Sequence, residues 1–172
     1  GAQALKQGKN VVHFTLELAD TAVAQRYDAC LTGFQLDDLI NQKEAVYDEI
    51  KEIDGQLIVK EYPTKSVSPV TLKNHLEKIR QTEMEIDMII VDYGDLLKSS
   101  TVRKNSEKRH ELESIYEELR GIGQEFGCPI VTASQTNRKG LNEEVITMES
   151  IAEAFNKCFV ADLIISLSRT IK

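Results

Sequence analysis

The sequence predicts an α/β domain with a mostly parallel central sheet and helices on both of its faces. Two observations carry this. Short, almost continuously apolar runs alternate with stretches of helical periodicity, as repeated strand–helix–strand units require. Three of the runs also end on a polar residue: Val11–Leu16 leads into Glu17, Ile86–Val91 into Asp92, and Pro129–Ser134 into Gln135. Ligands of open parallel sheets sit just beyond the carboxyl ends of the strands. Two carboxylates and an amide are therefore expected around one ligand.

Along the chain, residues 1–7 read as the tail of a helix stopped by Gly8. Val11–Leu16 is almost continuously apolar, the pattern of a strand buried on both faces. Asp20 or Thr21 caps a helix with Val23, Tyr27 and Cys30/Leu31 on its apolar face, and Gly33 ends it. Helical stretches follow near Leu36–Asn41 and Lys43–Ile53, then an Asp54-Gly55 turn and a strand over Gln56–Tyr62. Ser68-Pro69 sets a cap before a first-turn proline and opens a helix through Leu72, Leu76 and Ile79. After the Asp92 strand, Leu112, Ile115/Tyr116, Leu119, Ile122 and Phe126 recur at helical spacing up to Gly127. A short helix around Ile151–Phe159 and a buried strand over Asp162–Ser168 complete the pattern.

Composition narrows the class. The 172 residues fit one domain, 1–172, with 41% hydrophobic and 28% charged residues, ordinary for a globular protein. No apolar run approaches the roughly 20 residues that cross a bilayer, and no signal peptide is visible. Cys30, Cys128 and Cys158 lie far apart, so neither disulfides nor a zinc site are expected, and a cytoplasmic setting is. A net charge of −7 argues against a uniformly basic surface and leaves room for a local basic patch. No internal repeat is present. Gly1 begins in mid-pattern, which points to a chain cut from a longer gene or to a cloning remnant.

Of the strand-end residues, Asp92 has the widest implication. An apolar strand ending in Asp looks like a Walker B strand, whose Asp holds the Mg²⁺ of a nucleoside triphosphate. A hard cation that keeps several waters needs only one such oxygen ligand. The alternative is a carboxylate capping the next turn; Asp95, three residues on, is read as such a cap near Leu96, or as a second carboxylate at the site. Glu17 suits a general base orienting a water, or else is an exposed strand-end charge. Gln135 suits a γ-phosphate contact, or a polar strand terminus. Two stretches lack periodicity, Lys98–His110 and Asn137–Thr147. Lys98, Arg103, Lys104, Lys108 and Arg109 of the first suit a phosphate backbone, or form a solvated charge run. His13, His75 and His110 have no metal-ligand spacing, and His13 reads as a packed, satisfied histidine. No G-x-x-x-x-G-K-[ST] occurs in the 172 residues, so the chain alone is expected to bind ATP weakly and to be inactive.

In order and spacing the motifs resemble the RecA-like motor domain of the DnaB family of replicative hexameric helicases. The resemblance lies in Thr15-Leu16-Glu17, Asp92-Tyr93, Ser134-Gln135-Thr136-Asn137-Arg138 and the closing Ala161-Asp162-Leu163-Ile164-Ile165, and it spans nearly the whole chain. It implies an ATPase that uses ATP and Mg²⁺ to move along single-stranded DNA as a ring, expected to be a hexamer. Glu17 would be the catalytic glutamate, Asp92 the magnesium residue and Gln135 the γ-phosphate sensor. Residues Lys98–His110 and Asn137–Thr147, the latter with Arg138 and Lys139, would line the DNA channel. A P-loop would precede Gly1, and an arginine finger would follow Lys172. The segment Glu149–Val160 is longer and more helical than in DnaB itself, suggesting a phage-like relative. Other readings are a different RecA-like or KaiC-like ATPase, and a degenerate RecA-like module that binds a partner without hydrolysis.

Overall fold

The computed structural model describes residues 1–100, 108–135 and 157–167, with no side-chain detail for residues 108–109. Four strands form one parallel sheet in the order β2-β1-β3-β4: β1 Val11–Thr15, β2 Leu57–Glu61, β3 Met88–Asp92 and β4 Ile130–Thr132. Six α-helices accompany them: α1 Ala2–Lys6, α2 Asp20–Thr32, α3 Lys43–Ile50, α4 Pro69–Arg80, α5 Lys108–Phe126 and α6 Lys157–Val160. Single 3₁₀ turns lie at Leu36–Asp38 and Gly94–Leu96.

Alternation along the strands divides the core in two. Val12, Phe14 and Leu16 of β1 and its extension, with Ile89 and Val91 of β3, face Leu72, Leu76 and Ile79 of α4 and Leu112, Ile115, Leu119 and Ile122 of α5. Val11 of β1 faces Leu5 of α1 and Val23 and Tyr27 of α2, with Leu57, Val59, Met88 and Ile90 packed alongside. Helices thus cover both faces, and β1 is buried along its whole length. Each fully buried Leu or Ile contributes roughly 1.5–3 kcal/mol, so the larger cluster is the main source of cohesion.

Most expected elements stand where the periodicity put them, although the stretch near Leu36–Asn41 forms only a 3₁₀ turn over Leu36–Asp38. Residues 151–156 of the helix expected around Ile151–Phe159 lie outside the described residues; four further corrections follow. No strand runs through residues 161–167, where one was expected from Asp162; Leu163, Ile165 and Leu167 are exposed. That apolar run has no strand partner among the described residues, and β-pairing, not apolarity, defines a strand. Lys108, Arg109 and His110 open α5 and are not part of a loop. The α2 cap is Ala19, one residue early; Asp20 lies in the first turn, and its N–H donates to Glu61 Oε2 at 3.1 Å. Cys30 is exposed, while Leu31 packs on the core. The expected loop residues Arg103 and Lys104, and all of Asn137–Thr147 with Arg138 and Lys139, lie outside the described residues. Among the described residues, no helix is long and apolar enough to cross a membrane.

His13 is buried, with Nδ1 3.0 Å from Tyr27 Oη, but Nε2 has no partner among the described residues, so the ring is only half satisfied. Burial holds its pKa below the usual histidine value, against a smaller pull from the Asp92 charge. The unfolded chain therefore takes up a proton at a higher pH than the folded one. Stability should fall as pH drops below about 6.5, and the loss should level off once folded His13 titrates. His75, also lowered by burial, adds a slope of the same sign. Denaturant midpoints followed from pH 7 to 5 should give a shallower slope in His13→Asn; an unchanged slope would refute the assignment.

Two glycines give a second check. A Cβ on Gly94 would lie 3.2 Å from Thr132 Oγ1 and from Tyr116 Cζ, whereas one on Gly121, inside α5, meets nothing within 4 Å. Gly121→Ala should stabilise by up to about 1 kcal/mol through helix propensity. Gly94→Ala should destabilise by roughly 1–3 kcal/mol through overpacking. Urea unfolding of both variants measures the contrast.

Candidate functional site

The register brings the strand-end residues to one rim. Thr15 pairs with Asp92 and, on the other side, with Glu61; Val91 pairs with Thr132. The ladder continues past β1, since Leu16 N–H donates to Asp92 O at 2.8 Å and Tyr62 N–H to Thr15 O at 2.9 Å. The turn that carries Glu17 is built by Thr15, fully buried, whose Oγ1 donates to Leu18 O at 2.8 Å and accepts from Leu18 N at 3.2 Å. Thr64 Oγ1 adds a bond to Leu16 O at 2.7 Å. Glu17 is therefore exposed on a rigid corner.

Beyond β3 the Asp92–Tyr93 peptide is cis. Thr132 Oγ1 donates to Val91 O at 2.8 Å and accepts from Gly94 N at 2.9 Å, tying the ends of β3 and β4 together. Gln135 Nε2 donates to Tyr93 Oη at 2.9 Å. Burial pushes the Tyr93 pKa up, and the nearby charges of Glu17, Asp95 and Asp92 push it further. The charges of three carboxylates thus act on the phenol that holds Gln135.

These carboxylates are not equivalent. The side chains of Glu17 and Asp92 take part in no hydrogen bond or ion pair among the described residues. Asp95 is fully engaged: Tyr116 Oη donates to Oδ1 at 2.7 Å, Ser134 Oγ to Oδ2 at 3.1 Å, and Lys157 Nζ to both oxygens at 3.1 and 2.9 Å. It does not cap the Leu96 turn, whose N-cap is Tyr93. Asp95 faces these donors across the sheet end, which fixes its carboxylate more firmly than a local turn would. Burial and the Asp95 charge together push the Tyr116 pKa far up, so its hydroxyl stays a donor.

Of the basic residues singled out in the sequence, Lys98 is exposed just past the Gly94–Leu96 turn, its N–H bonded to Val67 O at 2.8 Å. The expected placement of all three contributing strands in the sheet interior holds for β1 and β3, while β4 lies at the edge of the sheet formed by the described residues. No group of three or more His, Cys, Asp or Glu side chains suited to a metal occurs among the described residues. One strand-end carboxylate with the rest of the shell left to water and phosphate oxygens matches Mg²⁺ better than zinc or calcium.

A family model described as the DnaB-like helicase C-terminal domain matches residues 2–146. The chain belongs to this family. Its relatives include the DnaB-like replicative helicase of Enterobacteria phage T4, 30% identical over 98% of this chain, of which the match spans 38%. The structure is similar to a solved ATPase domain, with a TM-score of 0.76 at 12% identity, covering 94% of this chain and 60% of that one. It is similar also to a DnaB-like replicative helicase solved for its interactions with primase, with a TM-score of 0.74 at 15% identity, covering 94% and 43%. The fold is thus RecA-like, as in the ATPase domains of DnaB-type helicases.

Sequence reasoning passed over Tyr116, Thr132 and Lys157 and misjudged Asp95. The one available signal was Lys157 itself, a lysine directly followed by the apolar run Cys158-Phe159-Val160. Its partner lies 62 residues away, which no local pattern reveals.

Proposed function

We propose that this chain is the motor domain of an ATP-dependent replicative DNA helicase, coupling ATP hydrolysis to movement along single-stranded DNA. The observation that carries the reading is the pair of uncommitted carboxylates, Glu17 and Asp92, on the ends of adjacent strands, with Gln135 tethered beside them. Each has a distinct role. Glu17, on its rigid corner, accepts a proton from the attacking water and orients it. Asp92, directly or through water, would hold Mg²⁺, which when bound would neutralise charge on the phosphates. Gln135 donates its amide to the γ-phosphate in exchange for Tyr93.

These residues fit the metal and the water. They do not include the glycine-rich loop and lysine that cradle β- and γ-phosphates, so that cradle must come from outside the 172 residues for turnover to occur. In a ring of subunits, a neighbouring copy would supply an arginine to the same phosphates. Lys98, Arg103, Lys104, Lys108 and Arg109, together with Arg138 and Lys139, would meet the DNA backbone. The run Lys98–His110 has no Phe, Tyr or Trp, so it favours charge contacts over base stacking.

In the whole protein, Glu17→Gln should lower kcat by about 10²-fold or more and leave ATP affinity within a few-fold, because it keeps shape and removes the base. Steady-state ATPase assays with a parallel binding titration separate the two; a kcat close to the parent would leave Glu17 a mere strand-end charge.

Replacing Arg103 and Lys104 with Ala should weaken single-stranded DNA binding and flatten log K against log salt by about 0.7 per lost contact. Unchanged affinity and slope in a salt series would show that the run is a solvated surface.

A further inference from the structure

Among the described residues, Lys157 is the one Lys, Arg, Asp or Glu side chain that is buried, at 3% exposure. Burying an ammonium is costly unless it is paired and hydrogen-bonded, and even a good buried pair seldom adds net stability over apolar replacements. Fold stability therefore gives no reason for a lysine here. Its geometry does. The ammonium donates to both oxygens of Asp95, at 3.1 and 2.9 Å, and lies 5.6 Å over the Tyr116 ring. A carboxylate gripped at both oxygens cannot turn. Its Oδ2 then offers a fixed acceptor to Ser134 Oγ at 3.1 Å, while Tyr116 Oη, bound to Oδ1, also reaches Ala133 O at 3.2 Å.

Residues 133 and 134 are thus both moored to the same cluster. The next residue is Gln135, whose amide ends on Tyr93. Tyr93 and Asp95 flank Gly94, which is packed too closely against Thr132 and Tyr116 to accept a side chain without displacement. The Gln135 segment is consequently set from both sides of one tight turn.

We propose that Lys157 is a positioning residue of the candidate nucleotide site: by locking Asp95 it fixes Ser134 and, through it, the Gln135 amide. This rests on the reading of Gln135 given above. Lys157 begins α6, and the other end of α6 is held by Arg120 of α5, which donates to Val160 O and to Asp162 Oδ1. A shift of α6 would therefore reach Gln135 through two successive contacts, Lys157–Asp95 and Asp95–Ser134. The C-terminal part of the chain and the strand-end rim are joined by a charged link that an apolar contact would not orient.

Two variants test this. Lys157→Met strands the Asp95 charge, and Asp95→Asn/Lys157→Met removes both charges while keeping an amide oxygen to accept from Tyr116 Oη and an amide NH₂ to donate to Ser134 Oγ. In the ¹⁵N-labelled chain, the Gln135 side-chain amide, identified by its loss in Gln135→Glu, should move and exchange faster in both variants. The doubly neutral variant should keep the parent's thermal midpoint, and it carries the test if Lys157→Met fails to fold. In the whole protein it should lower kcat about tenfold or more with KM for ATP within about twofold. An unmoved Gln135 amide, or an unchanged kcat, overturns the proposal. If instead Gln135→Ala leaves hydrolysis intact, it is the site reading that falls, and the amide measurement still decides whether Lys157 holds Gln135.

Discussion

Strand β1 is the constraint on which the rest of the molecule depends. It is buried on both faces, flanked by parallel partners on both sides, and its ladder extends past its own end through Leu16 and Tyr62. A parallel register allows no slip without sending Val12 and Phe14 to the α1–α2 face and Val11 to the α4–α5 face. Once that register is set, Thr15, Asp92 and Glu61 fall on one line, and the Glu17 corner is built on top of it.

From there the rim assembles by short-range bonds. Thr132 joins β3 to β4, Gln135 joins Tyr93, and Glu61 from β2 accepts the first N–H of α2. Each bond links elements at the sheet end rather than residues adjacent in sequence. The polar residues of the site are therefore arranged by the sheet and only refined by their own contacts. Three residues apart on the same turn, Asp92 and Asp95 end in opposite conditions, one unencumbered and one surrounded by donors.

The strands and helices were legible because their signals are local. Continuous apolar runs marked β1 and β3, and the spacing of Leu112, Ile115, Leu119 and Ile122 marked α5. The positions of Glu17, Asp92 and Gln135 at strand ends were legible for the same reason. Residues 161–167 show the limit: apolarity was read as a strand, yet pairing depends on a neighbour that sequence does not name. Asp95 and Lys157 show it again. A short polar side chain near a glycine reads as a turn cap, and only the fold brings a lysine from 62 residues away to claim it. Half of His13 was legible too, in its burial but not in its orphaned Nε2.

The freedom of Glu17 and Asp92 carries a cost to the molecule that holds them. Together with Asp95 they crowd negative charge around Tyr93, and Lys157 offsets only one of the three. Like charges gathered on a rigid rim oppose the compact state, a local frustration that the core must outweigh. Polyphosphates carry the same sign, so in the function proposed above the rim would repel a bare nucleotide and would admit one only with its charge masked by a divalent cation. On that proposal, the features that would hold a metal also make the rim the place where this domain trades cohesion for chemistry.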